Sequence, residues 1–298
     1  MNFLSKISAI TLLLGTVSTA SFADDANLAT ITLNPAGPWN LHYENESCKL
    51  RRSFGNGDQQ VSIEMTKFRP GERFELILFG KPLKPIYKGA SYTVAFGSLP
   101  ELDAASAMTA FDGNHVDVSL LTLNGFGPVD PKAVEAAFVA NRPIPSTVSP
   151  EQRKSIKSIS ITIRKKQRFV LNSGSLEGAI ASWDKCLAEL VRSWGVDPTL
   201  QLAHSPIPKM NPADWLSADD YPKSALRENK GGVINFRLSV DEKGAVSKCS
   251  VQRAVNGSEF AAITCDLLAR RASFKPAETT SGQAVPGFFQ SSARFQIP

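Results

Sequence analysis

Histidine, cysteine and long apolar runs are all scarce in this chain, and each scarcity removes a class of function. The three histidines, His42, His115 and His204, stand far apart. There is no H-E-x-x-H and no second His or Cys at ligand spacing, so no metal centre is expected. Without a C-x-x-C pair, neither a thioredoxin-like redox site nor a zinc knuckle is expected. A serine nucleophile elbow needs G-x-S-x-G, which is absent. Gly55-Asn56-Gly57 begins like a dinucleotide loop, but no glycine follows three residues later, so it reads as a turn. Asp219 and Asp220 are adjacent carboxylates before a helix, where they favour its N-terminal dipole more readily than they form an acid–base pair. The expectation is no catalytic residue, no cofactor, no metal and no enzyme.

The one apolar run near membrane character lies at the start. Lys6 supplies a positive end, residues 7–17 are apolar, and Ser21-Phe22-Ala23 places small residues before a cleavage point at Asp24. Ser8, Thr11, Gly15 and Thr16 interrupt the run, which is shorter than the roughly 20 residues of a spanning helix. Residues 1–23 therefore read as a cleaved secretory signal, with a retained membrane anchor as the alternative. After cleavage no stable membrane insertion is expected. The net charge of +5 is spread along the chain. Its two dense clusters, Lys49-x-Arg51-Arg52 and Arg164-Lys165-Lys166-x-Arg168, fall on strand-like segments with no aromatic interleaving, so no nucleic acid is expected.

The pattern after the signal is α+β. Residues 24–200 form a β-rich domain of no recognised family, with strand-like runs at 39–50, 61–68, 74–79, 92–96, 116–123, 156–163 and 169–171. Arg69-Pro70-Gly71-Glu72 reads as a hairpin connection. Val116/Val118 and Ile159/Ile161/Ile163 alternate with polar residues as half-buried strands do. Asp130 and Pro131 open a short helix to residue 140. A stronger helix, capped by Ser175 and stopped by Gly195, carries Leu176, Ile180, Trp183, Leu187, Leu190 and Trp194 at helical spacing and closes the domain. Pro198, Pro206, Pro208 and Pro212 then make the stretch up to 214 a linker, residues 201–214 in the domain division, with no regular helix or sheet.

Four cysteines in an exported chain suggest two disulfides, and four allow three connectivities. The domain division favours one bridge per domain, Cys48–Cys186 and Cys249–Cys265. Cys186 lies beside the apolar stripe of its helix, where it meets the sheet. The second bridge is expected to contribute about 3 kcal/mol to a domain with a thin core.

Residues 215–298 run in a distinctive order. Tyr221-Pro222-x-x-Ala225 leads into a short helix over 223–228, ended by Gly231-Gly232. Ile234, Phe236, Leu238 and Val240 alternate with Asn235, Arg237 and Ser239, predicting a strand with one face in solvent. Gly244 closes a turn to a second strand over 246–251. Ser258 caps a helix carrying Phe260, Ala261, Thr264, Cys265 and Leu268. Phe274-Lys275-Pro276-Ala277 precedes a last strand over 289–297, with Phe289, Ala293, Phe295 and Ile297 inward. This order, in which Tyr221, Pro222, Gly232, Gly244, Phe274 and Pro276 are the motif positions, resembles the C-terminal domain of the TonB family.

The resemblance covers under a third of the chain and implies a small antiparallel sheet backed by two helices. It also implies that the last strand pairs with a TonB-box-like peptide of an outer-membrane transporter. The partner-binding edge is then Phe289, Gln290, Ser291, Ser292, Ala293, Arg294 and Phe295, with Gln290, Ser292 and Arg294 facing outward. A globular domain stands where classical transducers carry a long proline-rich spacer. The expected protein is periplasmic and binds a peptide or envelope protein by β-strand addition, with a possible link to TonB-dependent transport. The alternatives are an inner-membrane-anchored energy transducer facing the periplasm, and an exported enzyme or inhibitor acting through the N-terminal domain.

Overall fold

The computed structural model describes residues 28–111, 117–199, 204–255, 257 and 259–297. The segment 1–23 read as a signal, His115 with the turn before it, Val116, and Ser258 lie outside the described residues.

The N-terminal region is built from strands β1 (Thr30–Leu33), β2 (Asn40–Tyr43), β3 (Cys48–Phe54), β4 (Val61–Lys67), β5 (Phe74–Phe79), β6 (Tyr92–Phe96), β7 (Leu102–Asp103), β8 (Met108–Phe111), β9 (Asp117–Leu123), β10 (Ile159–Ile163) and β11 (Gln167–Leu171). Its helices are α1 (Lys84–Tyr87), α2 (Pro131–Val139), α3 (Pro150–Ser155) and α4 (Glu177–Ser193). The strands form a six-stranded sheet in the order β2-β3-β4-β5-β9-β8 and a five-stranded sheet in the order β1-β11-β10-β6-β7. Both sheets and α4 share one apolar core around Phe54, Phe74, Phe96, Phe169 and Trp183. Asp130 accepts from the Lys132 N–H at 2.9 Å at the start of α2, and the Ser175 hydroxyl accepts from the Glu177 N–H at 3.3 Å. The Cys48–Cys186 disulfide ties β3 to α4, as the helix stripe implied.

Several local expectations change. Residues 39–50 are a hairpin rather than one strand, because Glu44 N–H donates to Ser47 C=O at 2.9 Å across a polar turn. Strand β10 is buried on both faces: Ser160 and Thr162 are covered, and Thr162 and Thr93 donate to Glu101. The basic run 164–166 lies in the β10–β11 turn, not on a strand; Arg164 pairs with Asp103 and Arg168 with Glu101. Helix α3 is an addition to the sequence reading, started by Ser149 in a capping box with Gln152.

The linker also departs from expectation. It contains β12 (Ile207–Pro208), which pairs with a short strand of the C-terminal module, and Lys209 N–H donates to Ser273 C=O at 2.9 Å. Proline is compatible with such an edge position because its missing N–H is not needed there. The linker is therefore docked rather than free.

The C-terminal module comprises α5 (Lys223–Arg227), β13 (Gly232–Val240), β14 (Val246–Val255), α6 (Glu259–Arg271), β15 (Phe274–Lys275), β16 (Ala277–Glu278), β17 (Ala284–Val285) and β18 (Gly287–Phe295). Its antiparallel sheet runs β14-β13-β18, and β12 pairs with β15 and β16 with β17. Ile234, Phe236, Leu238 and Val240 face a separate core with Trp215, Phe260, Leu268, Phe274, Phe289 and Phe295. Phe260 stacks on Phe295 with ring centroids 4.3 Å apart. Cys249–Cys265 ties β14 to α6. Ile297 falls beyond the last strand and is exposed, because the ladder with β13 ends at the Gly232–Phe295 pair.

Candidate functional site

The motif residues build the module's frame. Tyr221 packs edge-on against Phe260 and Phe295, and its hydroxyl donates to Lys230 C=O. Pro222 precedes α5. At Gly244, φ is +79° and a Cβ would fall 1.9 Å from the Phe274 carbonyl oxygen, so only glycine fits. Phe274 N–H donates back to Gly244 C=O, and Pro276 lies beside the same turn. Asp220 does not serve the N-terminus of α5. It forms a two-point ion pair with Arg271, at 2.6 and 2.9 Å, and accepts from Ser217, which holds its carboxyl well below the ordinary carboxylate range.

The outer face of the sheet is not in solvent. Arg237 is only 3% exposed. Its Nε and Nη2 both donate to the Glu46 carboxylate at 2.8 Å, and Nη1 donates to Ser239 Oγ at 2.7 Å. The guanidinium also lies 4.0 Å from the Trp194 ring centroid. Asn235 Nδ2 donates to Glu75 at 2.8 Å, and Arg253 approaches the other Glu75 oxygen at 2.9 Å, as an ion pair off hydrogen-bond alignment. Burial pushes the Glu75 carboxyl up despite these partners. Apolar contacts complete the junction. Val233 and Val255 meet Ile77, Val118 and Leu120, while Phe288 meets Val191, Val196 and Trp194. The polar alternation of β13 is thus an interface with the N-terminal region.

The predicted edge strand divides into a covered end and an open end. Phe289, Ala293 and Phe295 are buried in the module core, and Ser291 is half-buried. Gln290 is not solvent-facing; its Nε2 donates to Phe68 C=O at 2.8 Å. Ser292 and Arg294 are exposed. Strand β18 pairs with β13 on one side and with no strand on the other among the described residues. Asn141, itself 2% exposed, donates to Phe288 C=O at 3.1 Å and to Pro206 C=O at 2.9 Å. That bond places the Phe288 carbonyl on the side away from β13. By the alternation of an antiparallel ladder, the main-chain groups of Gln290, Ser292 and Arg294 face the same way.

A cleft of about 210 Å³ opens beside this edge, between the β4–β5 connection, α2 and β18. Neither Arg69 nor Asn141 stood out in the sequence. Arg69 belonged to an ordinary hairpin turn and Asn141 to the residue after a helix, and no motif marks either.

The module is a small antiparallel sheet backed on one face by two helices, and its two edge strands, β14 and β18, each pair only with β13 among the described residues. The model for the Gram-negative bacterial TonB protein C-terminal family matches residues 217–297. That segment is a TonB-type C-terminal domain, of a family associated with the cell envelope and with outer-membrane transporters in general. No curated protein matches the chain. No described helix is long and apolar enough to cross a membrane.

Proposed function

We propose that this is an exported periplasmic protein whose TonB-type module captures an extended segment of an envelope protein by strand addition on β18. The observation that carries the reading is the one-sided pairing of β18; β14 is also an edge strand, and it is the family resemblance that singles out the last strand. An unpaired strand edge offers main-chain donors and acceptors to an added chain, and side chains of that chain select it. The clasped outer face supports the same reading. It fixes the sheet against a large N-terminal region, so the edge is presented in one orientation and needs little ordering on binding. Export rests on the N-terminal signal pattern, and a mature protein beginning at Asp24 is the expected product.

The test uses proline. Replacing Ser292 removes an N–H that faces the open side, which an edge strand tolerates. Ser292→Pro is therefore expected to stay folded and to lose the envelope partner captured by the unaltered protein, whereas Ser292→Ala retains it. A folded Ser292→Pro protein that still captures the same partner contradicts strand addition on β18.

A further inference from the structure

Three residues that line the cleft beside the open edge carry a buried polar atom without a hydrogen bond, Arg69 Nη2, Glu75 Oε2 and Gln290 Oε1. Glu75 Oε2 is ion-paired with Arg253, which leaves Arg69 Nη2 and Gln290 Oε1. Such groups cost free energy when left unpaired and are few in native proteins. One is a cationic donor and the other a neutral acceptor. Arg69 spends its Nη1 on the neutral Asn141 amide at 3.0 Å. Gln290 spends its Nε2 on Phe68.

The charges around them leave a positive excess. The cleft's carboxylates are already matched by arginines of other elements, Glu72 by Arg153 at 2.6 Å and Glu75 by Arg253 at 2.9 Å. Arg73 and Arg142 lie at its exposed margin and add positive charge. Burial, with Arg73 nearby, pushes the Arg69 guanidinium down to about 10, so it still carries its charge at neutral pH.

We infer that the cleft is the specificity pocket for the added strand and takes an acidic residue, whose carboxylate meets Arg69 and whose main-chain N–H meets Gln290. This rests on the strand-addition reading and names the class of segment that reading calls for. Gln290 belongs to both features: its main chain lies on the open edge and its side chain lines the cleft. A segment running along β18 from the Arg294 end therefore reaches the cleft. At about 210 Å³ the space is below the roughly 300–1,000 Å³ of drug-sized sites and suits one side chain of a longer peptide. The pocket is made jointly by the N-terminal region and the C-terminal sheet, so selection would be a property of the two-part protein.

A phage-displayed library of random 12-residue peptides, selected on the full-length chain, tests this directly. The expected result is enrichment of Asp or Glu at one position. A synthetic copy of a selected peptide should lose about tenfold or more in affinity when that residue becomes Asn or Gln, as loss of a charge-assisted hydrogen bond implies. Arg69→Gln should lose the same factor and, reselected, show no acidic preference. Arg73→Gln, at the exposed margin, should lose less, and it guards against a folding effect of the Arg69–Asn141 bond. Peptides without acidic enrichment, or acidic enrichment that survives Arg69→Gln, overturn the pocket and leave strand addition standing. If no peptide is enriched at all, both readings fall.

Discussion

The two faces of the C-terminal sheet are buried by different chemistry. The helix side is closed by Phe236, Leu238, Phe260, Phe289 and Phe295, a non-directional apolar core. The outer side is closed by Arg237–Glu46, Arg253–Glu75, Asn235–Glu75 and two small apolar contacts with the N-terminal region. An apolar face can be covered by any well-fitting surface, whereas a face of buried, directed ion pairs accepts one partner in one register. The inner face therefore makes the module, and the outer face fixes its place in this protein. The β18 edge between them carries no further strand among the described residues.

The largest expected effect lies on the inner face. Phe260→Ala removes a fully buried ring stacked on Phe295 and should destabilise the module by about 3–5 kcal/mol in chemical denaturation. A loss below 1 kcal/mol would show that this core is not what holds the module together. Next comes the outer face. Arg237→Ala strands the Glu46 carboxylate in the junction and should cost about 3 kcal/mol. Arg237→Met combined with Glu46→Leu should recover most of that loss, because an apolar pair of similar volume needs no compensation. If the double variant is as unstable as Arg237→Ala alone, the junction needs the charges themselves and the contrast between the faces sharpens.

The smallest effect is at the Asp220–Arg271 clasp behind the inner face. The folded carboxyl sits below its unfolded value, so its contribution is complete at neutral pH. It is lost as pH falls from the ordinary carboxylate range near 4 through the lower folded value. Urea midpoints of the unaltered protein and Asp220→Asn should therefore differ at pH 7 and converge with increasing acid. A gap that widens in acid would reverse the sign and contradict the assignment.

How much of this was legible in the sequence follows from the range of the interactions. The inner face was legible because alternation along β13 and the helical spacing in α6 are local signals. The open edge strand was legible only through the family resemblance. The disulfides followed from the domain division and the stripe of α4. The outer face misled, since Asn235, Arg237 and Ser239 have the pattern of a solvated face and the Arg237 partner lies 191 residues away. Glu46 carried no signal, being one acid in a polar turn. Likewise, burial of Arg69 depends on how α2 and β18 approach the β4–β5 connection. Helix α3 was a different kind of miss: Ser149-Pro150-Glu151-Gln152 is a local capping signal that the sequence displays. The linker prolines argued against any sheet, yet one two-residue edge strand accommodates Pro208.

The central claim is a closed face beside an open edge, and residue-resolved amide hydrogen exchange on the full-length chain tests it most directly. Along β18 the account predicts alternation: amides of Phe289, Ser291 and Ala293, which face β13, exchange slowly, while those of Ser292 and Arg294 exchange orders of magnitude faster. Slow exchange along the whole strand would contradict it, because the edge would then already be paired and unable to accept another chain.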